Sequence, residues 1–523
     1  MRHFSLASYV LSALLPICIS STLYLYFYPY FHGCAISKAI DGFGTAPFRL
    51  LVFADPQLEG DTSLPPPDEP YLPSLKKYFG YILAQWRSKG TVNINSKILW
   101  QHLRADLIRL LKTWQKGIDL VGNDLYLAHV YRTMHWYTKP THVTVLGDLV
   151  GSQWISDDEF QRRGNRFWKT VFKGAHPVHV NGSVTEATEE VLSETDWANR
   201  LINVAGNHDI GYAGDLNISH IHRFERVFGR VNWEAQFQLS NTSSERCPDA
   251  PAVRVVVLNS MNLDTRAISP DLQTETYSFI NNVIHRSRPV EDHCIYTVLL
   301  THIPLHKDAG VCVDPPFFDY YPTGQSAGGV KEQNHLGHAA SKGILEGIYG
   351  MSGNHQAPGQ GRGRNGIILT GHDHEGCDVY HYVSPNDDEG MPGWSTAKWL
   401  EAQELALGDI PGIREVTVRS MMGAYSGNAG LLSVWFDPSS GKWAFDFANC
   451  ALGIQHVWWT IHIADVVAAF LLSYAVLKFM LRKTTSADEK MSKKSDSRKS
   501  HLVAKVKERK EDRNSVRRRK KLR

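Results

Sequence analysis

This chain of 523 residues has few cysteines, a small net charge and few long apolar runs. Each of these features excludes a class of protein. Seven cysteines are too few for a disulfide scaffold, and without a Cys-x-x-Cys pair a thiolate zinc site is not expected. The net charge of +3 gives no indication of a nucleic-acid partner. A mean hydropathy of −0.28 is too polar for a many-pass membrane protein, and 43% hydrophobic residues exclude disorder throughout. The chain must therefore fold around an ordinary core.

Two apolar runs stand out against these averages. Residues 4–31 contain no charge and exceed the ~20 residues that span a bilayer. The tyrosine-rich end of this run is typical of an interfacial aromatic belt, which favours a retained anchor over a cleaved signal peptide. Residues 457–481 form the second run, interrupted by His462, Asp465 and Lys478. A buried core helix is the alternative for this run.

The charge of the C-terminal segment predicts how the chain crosses the membrane. Residues 482–523 contain 18 Lys or Arg and 6 Asp or Glu, a net charge of +12. Positive segments stay on the cytosolic side, and Arg2 with His3 places the N-terminus there too. We therefore expect a membrane anchor over 1–31, a lumenal domain over 32–456, a second membrane helix over 457–481 and a cytosolic tail. The glycosylation candidates in the lumenal part are Asn181, Asn217 and Asn241.

The last four residues suggest a compartment. Lys520 and Lys521 lie at the fourth and third positions from the C-terminus, where they resemble the dilysine signal that returns membrane proteins to the endoplasmic reticulum. This resemblance implies recognition by a coat protein and an endoplasmic reticulum membrane protein that can cycle with the Golgi. Attraction of the basic tail to anionic lipid is the alternative.

The large domain alternates strands with helices, which predicts an α/β fold. Periodicity predicts helices over 99–120 and 269–285. Short apolar runs predict strands over 49–55, 143–146, 201–204, 253–258, 296–300 and 367–369.

Polar clusters follow five of these strands. They are Asp55-Pro-Gln57, Gly147-Asp148, Gly206-Asn207-His208-Asp209, Thr301-His302 and Gly371-His372-Asp373-His374. In an α/β sheet the carboxyl ends of the strands carry the functional groups. Carboxylate, amide and imidazole together suit divalent cations such as Mn²⁺, Zn²⁺ or Fe²⁺. Glycines before the ligands would let the backbone approach the metals closely.

The order of these clusters resembles the calcineurin-like metallophosphoesterase superfamily over about residues 48–378. The resemblance implies two mixed β-sheets flanked by helices in four layers, with two metal ions. It implies that one metal is bound by Asp55, Gln57, Asp148 and His374. It implies that the second is bound by Asp148, Asn207, His302 and His372, with Asp148 bridging. His208 would be the general acid, and Asp209 would orient its ring.

Two positions depart from the family pattern. The first motif usually has His where this chain has Gln57, and the second usually has Asp where it has Gly151. A glutamine carbonyl is a weaker, neutral ligand, so the first site should bind metal more loosely and favour Mn²⁺ over Zn²⁺. The alternative is that Gln57 marks decay toward a one-metal or inactive protein.

The first motif and the two apolar runs narrow the resemblance to a fungal branch. Asp-Pro-Gln-Leu-Glu-Gly and Thr-His-Ile-Pro-Leu-His look like the phosphoesterases that remodel glycosylphosphatidylinositol (GPI) anchors in the early secretory pathway. This implies removal of ethanolamine phosphate from a mannose of the GPI glycan, with the glycan of a GPI-anchored protein as substrate. Two alternatives remain. One is the same chemistry on a phospholipid, nucleotide or phosphoprotein, and the other is an inactive membrane protein that binds manganese or recruits cargo.

The stretch 306–365 separates the last two motifs and is predicted to be a long loop. We expect its part through residues 331–335 to help form the substrate mouth, with a solvated insertion as the alternative. His306 and His335 are expected to be ordinary exposed histidines, with contact to phosphate as the alternative.

Cysteine positions suggest one disulfide. Cys34 and Cys450 each flank a membrane run, so a bond between them would join the two membrane ends. Cys294 and Cys377 are expected to be small buried residues.

Overall fold

The structure is a computed structural model. It describes residues 6–34, 45–60, 69–91, 94–178, 188–191, 197–239, 247, 249–264, 266–324, 326–384, 393–407 and 410–520. The chain divides into two compact units, one formed by Tyr26–Gln455 and the other by the terminal segments Met1–Leu25 and His456–Arg523.

Helices occur in both units, and in the unit of residues 26–455 they alternate with the strands. They are α1 (Leu6–Tyr26), α2 (Tyr28–Phe31), α3 (Pro73–Lys89), α4 (Ser96–Thr138), α5 (Asp157–Arg166), α6 (Asn207–Ile210), α7 (Ile218–Phe228), α8 (Pro270–Arg286), α9 (His338–Gly347), α10 (Trp399–Leu407) and α11 (Gln455–Lys520).

The strands form a six-stranded sheet, an eight-stranded sheet and a small hairpin. In chain order they are β1 (Phe48–Phe53), β2 (His142–Leu146), β3 (His176–Pro177), β4 (Thr188–Val191), β5 (Arg200–Val204), β6 (Trp233–Gln238), β7 (Ala252–Val257), β8 (Ile295–Leu300), β9 (Phe318–Tyr320), β10 (Val330–Gln333), β11 (Gly366–Thr370), β12 (Cys377–Ser384), β13 (Gly393–Lys398), β14 (Gly412–Thr417), β15 (Asn428–Asp437) and β16 (Lys442–Ala451). The six-stranded order is β16-β15-β1-β2-β5-β3, and the eight-stranded order is β13-β12-β14-β11-β8-β7-β6-β4.

Both sheets are mixed, and each has a parallel centre. β1, β2 and β5 run parallel in the first sheet, and β7, β8, β11 and β14 run parallel in the second. Antiparallel pairing adds β15 and β16 to the first sheet and β12, β13 and β6 to the second. The parallel centre of each sheet therefore directs several strand ends toward one edge.

The core lies between the two sheets. Alternate residues of β1, namely Phe48, Leu50 and Val52, are fully buried in one apolar cluster with residues of β7, β8 and β11. The intervening side chains face helices, as Phe53 shows by its contacts with Tyr131 of α4 and with Phe172. On the outer face of the second sheet, Arg254 of β7 donates to a carbonyl of α8. Helices thus pack on the outer faces of both sheets, which is consistent with the expected α/β fold.

The predicted strands are confirmed to within a residue or two, whereas one helix is longer than predicted. The pattern over 99–120 belongs to α4, which continues to Thr138. The prediction of a long loop over 306–365 is wrong, since β9, β10 and α9 form there. These elements are 3, 4 and 10 residues long, too short for a search for long periodic runs to detect.

Two helices are long and apolar enough to cross a membrane. They contain Tyr9–Tyr26 and Gln455–Leu481, and their side chains are mostly not buried within the protein. The alternative of a buried core helix for 457–481 therefore does not hold. α11 runs on without a break through the basic segment to Lys520.

Candidate metal centre

The parallel strands bring the predicted site residues to one edge of the two sheets. Asp55 follows β1, Asp148 follows β2, and Asn207 follows β5 in the six-stranded sheet. From the facing sheet, His302 follows β8, and His372 with His374 follows β11. Residues separated by more than 300 positions in sequence therefore meet in one cluster.

The cluster contains two groups of side chains able to hold a cation. In one group, ligand atoms of Asp55, Asp148 and His374 all lie within 4.8 Å of one another. In the other, ligand atoms of Asp148, His302 and His372 do so. Asp148 belongs to both groups, as the family pattern implies for a bridging carboxylate.

Backbone carbonyls determine which histidine nitrogens face the centre. His302 Nδ1 lies 2.7 Å from the carbonyl oxygen of Leu146, and His372 Nε2 lies 2.7 Å from that of Gln333. Each ring must donate a proton to its carbonyl, which leaves the other nitrogen as a lone-pair acceptor. Burial lowers the pKa of both rings, that of His372 to about 3, so both are neutral.

The nitrogens that keep their lone pairs, Nε2 of His302 and Nδ1 of His372, lie close to each other. His302 Nε2 and His372 Nδ1 are 3.2 Å apart, and Asn207 Oδ1 is 3.0 Å from the same His302 nitrogen. Acceptors this close, with no proton between them, repel unless a cation lies among them. These nitrogen and oxygen atoms therefore suit a divalent metal ion as its ligands.

The two carboxylates reinforce this requirement. Asp55 and Asp148 are fully buried, and burial together with the charge of Asp148 raises the pKa of Asp55 well above its usual value. Burial acts to raise the pKa of Asp148, whereas positive charge beside it, at the positions of His302, His208 and His372, acts to lower that pKa below its usual value. A buried pair of acids next to neutral imidazoles is stabilised by positive charge, which a bound cation supplies.

The backbone around the cluster is strained where the ligands turn inward. Asp55, Gln57, Asp148 and His372 have φ angles of 51°, 39°, 51° and 74°, in the left-handed region that non-glycine residues rarely adopt. Each such conformation costs roughly 1–3 kcal/mol and is typical of functional sites.

Glycines give the ligands space. A Cβ on Gly147 would lie 2.2 Å from His302 Nδ1, and one on Gly206 would lie 2.2 Å from Asp148 Oδ1. Gly206 has an ordinary φ of −109°, so space rather than backbone freedom is what this position requires.

Gln57 lies inside the first group, as its place in the motif predicts. Its Nε2 is 3.0 Å from Asp148 Oδ2 and 3.1 Å from His374 Nε2. The amide group thus occupies the position from which a histidine in the usual motif would face the same cation.

His208 and Asp209 are placed differently from each other. The His208 side chain is 39% exposed, with Nε2 3.8 Å from Asp148 Oδ2. The Asp209 carboxylate is fully buried and accepts hydrogen bonds from the backbone N–H groups of Leu149, Val150 and Gly206. The expectation that Asp209 orients the His208 ring is therefore wrong. Asp209 instead ties together the two loops that follow β2 and β5.

Two contributors to the centre were not predicted. The Tyr425 hydroxyl lies 3.2 Å from His374 Nδ1, and the Gln333 carbonyl holds His372. Tyr425 has no motif around it, and a carbonyl leaves no trace in side-chain identity. Gln333 does lie within the segment expected at the substrate mouth.

The histidines of the same stretch correct a further expectation. His335 is buried, and His306 is only partly exposed. Nearby, Glu415 of β14 is completely buried and pairs with Lys307 at 3.0 Å and with His381. This ion pair fixes the chain that follows the His302 motif against the second sheet.

Three disulfides are formed in the described structure: Cys34–Cys450, Cys247–Cys294 and Cys312–Cys377. The first agrees with the pair suggested by sequence. Cys294 and Cys377 are disulfide-bonded, so their expected role as merely small buried residues is wrong, because their partners are distant in sequence.

Of the three glycosylation candidates, Asn181 and Asn241 lie outside the described residues. Asn217 caps the first turn of α7, where its Oδ1 accepts from the His220 N–H at 3.1 Å and from Ser219 Oγ. The Asn217 side chain is thus engaged in the fold.

Known proteins show where the chain belongs. It is 30% identical to Protein TED1 of Saccharomyces cerevisiae over 509 residues, which cover 87% of this chain and 95% of that protein. It is 28% identical to uncharacterized protein C23A1.02c of Schizosaccharomyces pombe, over 68% of this chain and 80% of the relative. It is 26% identical to metallophosphoesterase 1 of Macaca fascicularis, over 50% of this chain and 57% of that protein.

No family model matches the chain. The match to the yeast relative covers 87% of this chain, and the match to metallophosphoesterase 1 covers half of it. The chain therefore belongs to the metallophosphoesterase family, in the fungal branch that includes Protein TED1.

Proposed function

We propose that the chain is a two-metal phosphodiesterase that removes ethanolamine phosphate from a mannose of the GPI glycan. One observation carries the metal chemistry. The unprotonated nitrogens of His302 and His372 lie close to each other, and Asn207 Oδ1 and the shared carboxylate of Asp148 lie beside them. The GPI substrate is supported by the motif resemblance and by membership of the fungal branch.

We assign the ligands in two sets that share Asp148. The first set is Asp55, Gln57, Asp148 and His374, and the second is Asp148, Asn207, His302 and His372. Two divalent cations bound there would supply an activated water and neutralise charge on the phosphate oxygens. Mn²⁺ suits a set in which oxygen ligands and one neutral amide outnumber imidazoles, with Zn²⁺ or Fe²⁺ as alternatives.

The protein's own residues then position and protonate the substrate. The partly exposed His208 reaches the open side of the centre, where it can give a proton to the departing sugar oxygen. The backbone N–H of His208 donates to Asp148 Oδ1 at 2.9 Å, which keeps the loop that carries the acid next to the shared carboxylate. The carbonyls of Leu146 and Gln333 hold His302 and His372 in the tautomers that face the centre.

We further propose that the unit of residues 26–455 lies in the lumen of the endoplasmic reticulum, anchored by α1 and the apolar part of α11. The exposed apolar side chains of both helices support membrane insertion. The basic continuation of α11 supports a cytosolic C-terminus, where Lys520 and Lys521 would be available to a coat protein.

Cells that lack the protein provide the test. They are complemented with the parent chain, with His208→Ala, or with the matched control His222→Ala, which changes an exposed histidine on α7. Mass analysis of GPI glycans should show extra ethanolamine phosphate in cells without the protein and with His208→Ala, and normal glycans with the parent or the control.

Each failure has a distinct meaning. Unchanged GPI glycans in cells without the protein would refute the GPI substrate. Full activity of His208→Ala would remove the case for catalysis by this residue. Manganese-dependent hydrolysis of phospholipid, nucleotide or phosphopeptide by the purified full chain, without a glycan change, would identify the other substrate class.

A further inference from the structure

The long helix α4 carries an apolar line that nothing in the described structure covers. We call this line the α4 stripe, and it consists of Trp100, Leu103, Leu107, Leu111, Trp114, Ile118, Val121 and Leu125. These residues follow one another at intervals of three or four, so they share one face of the helix. All of them are exposed, Trp114 by 74% and Leu111 by 63%. At 1.5 Å per residue the stripe is about 38 Å long.

The stripe is not the face that packs on the neighbouring helix. α3 is fixed to a different side of α4, where the buried Asp106 accepts from the N–H groups of Ser74 and Leu75. On the same side of α4, the ring of Tyr78 stacks on that of His102, with the ring centroids 5.2 Å apart. α3 adds exposed apolar residues of its own, Phe79, Leu83 and Trp86, also at helical spacing. The helical hairpin therefore keeps a line of apolar side chains outside the core, and contiguous exposed apolar surface is typical of protein or membrane interaction sites.

The stripe runs toward the points where both apolar helices join the unit. One turn beyond Leu125, the ring of His129 contacts the ring of Tyr26, with the ring centroids 4.9 Å apart. Farther along α4, the ring of Trp136 contacts that of Phe27, with the centroids 5.7 Å apart. Tyr26 is the last residue of the first apolar helix.

The second apolar helix begins at the same part of α4. Gln455, its first residue, donates to the side chain of Asn123, and the Tyr126 hydroxyl donates to the carbonyl of Gly453. Both chain segments that lead into apolar helices are thus attached to the C-terminal half of α4.

The charge of the hairpin fits a lipid surface. α3 and α4 contain ten Lys or Arg and three Asp or Glu, whereas residues 1–481 as a whole carry a net charge of −9. Basic residues beside an apolar face with tryptophan are typical of helices that lie in the headgroup region of a membrane.

We propose that the α3–α4 hairpin lies flat on the membrane, with the α4 stripe inserted among the lipid headgroups and upper acyl chains. The membrane is the one crossed by α1 and α11, so the inference rests on the proposed anchoring and not on the proposed reaction. The continuity of the stripe with Tyr26 and the excess of basic residues favour lipid over a second protein. The hairpin would then bind lipid directly, in addition to the two spans.

Nitroxide labels on neighbouring positions of α4 test this. Leu111→Cys lies on the stripe, and Lys112→Cys is the matched control, exposed but turned by ~100° around the same helix. Leu472→Cys reports on the anchoring helix α11. All three are made in the full chain with Cys18→Ala, labelled, and reconstituted into vesicles of phosphatidylcholine and phosphatidylinositol.

Accessibility of each label to oxygen and to a nickel chelate is measured by electron paramagnetic resonance. We expect the label at 111 to be accessible to oxygen and protected from nickel, at a depth of ~5–10 Å. The label at 112 should be accessible to nickel, and the label at 472 should lie deep in lipid.

The other outcomes separate the possible errors. Nickel access at 111 equal to that at 112, with 472 in lipid, overturns the docking proposal alone. Nickel access at 472 overturns the anchoring on which it rests. Protection of 111 from both reagents, with dipolar coupling between labelled copies, would show that a second copy of the chain covers the stripe, and this too overturns the proposal.

Discussion

Replacing Gln57 by histidine tests how this branch of the family holds its first metal. In the structure the Gln57 amide donates to Asp148 and to His374 at 3.0 and 3.1 Å, so it competes with a cation for both partners. A half-turn of the amide would present its oxygen instead, and no backbone movement is needed. The amide must give up both hydrogen bonds before it can act as a ligand.

The size of the effect follows from those two bonds. A hydrogen bond to a charged group contributes about 1.5–3 kcal/mol and one to a neutral group about 0.5–1.5 kcal/mol, so losing both costs about 2–4 kcal/mol. At ~1.4 kcal/mol per factor of ten, this corresponds to roughly 30- to 1000-fold weaker binding at the first site. Gln57→His removes the competing donors and adds an imidazole, so the Kd of the first site should fall by a factor in that range.

The measurement is a Mn²⁺ titration of the purified full chain, with free Mn²⁺ followed by electron paramagnetic resonance. The parent should show one tight and one weak class of site, and Gln57→His should show two tight ones. Gln356→His, which adds an imidazole at an exposed position, should match the parent. If Gln57→His needs as much Mn²⁺ as the parent, Gln57 takes no part in the first site and our argument is refuted.

Three further predictions concern the space, charge and covalent links of the site. Gly206→Ala should cost about 1–3 kcal/mol by overpacking and lower metal content, because its Cβ would meet Asp148 atoms that cannot move away. Gly117→Ala, with open space around it, should leave metal content unchanged; equal losses in both variants would contradict the steric argument. Chelation by EDTA should lower the melting temperature and added Mn²⁺ should restore it, because the buried acids lose their compensating charge; an unaltered transition would count against a resident cation. A non-reducing peptide map should recover Cys34 linked to Cys450, and recovery of both as free thiols would exclude the bond.

The residues of the centre could be predicted because each follows directly after an apolar strand. Asp55, Asp148, Asn207, His302 and His374 lie at strand ends that parallel pairing must bring to one edge. The resemblance of their order to the metallophosphoesterase pattern implied two sets that share Asp148. The prediction needed no distances, since strand pairing alone determines which ends meet.

Other roles depended on contacts that sequence order does not contain. Asp209 stands next to His208 in sequence, yet its carboxylate turns away and binds three backbone amides. Tyr425 reaches His374 from a turn with no motif. Cys247 and Cys312 pair with partners 47 and 65 residues away, which spacing alone does not reveal.

The sequence by itself therefore determined the fold class, the apolar ends and the strand-end side chains that meet in the cluster, because these depend on local pattern and on the order of strands. Tertiary structure alone decided the tautomers of His302 and His372, through carbonyls that no side-chain code records. It also decided that the apolar line of α4 faces outward. An apolar helix face has the same spacing whether a core or a membrane covers it, so only the packing of the rest of the chain distinguishes the two.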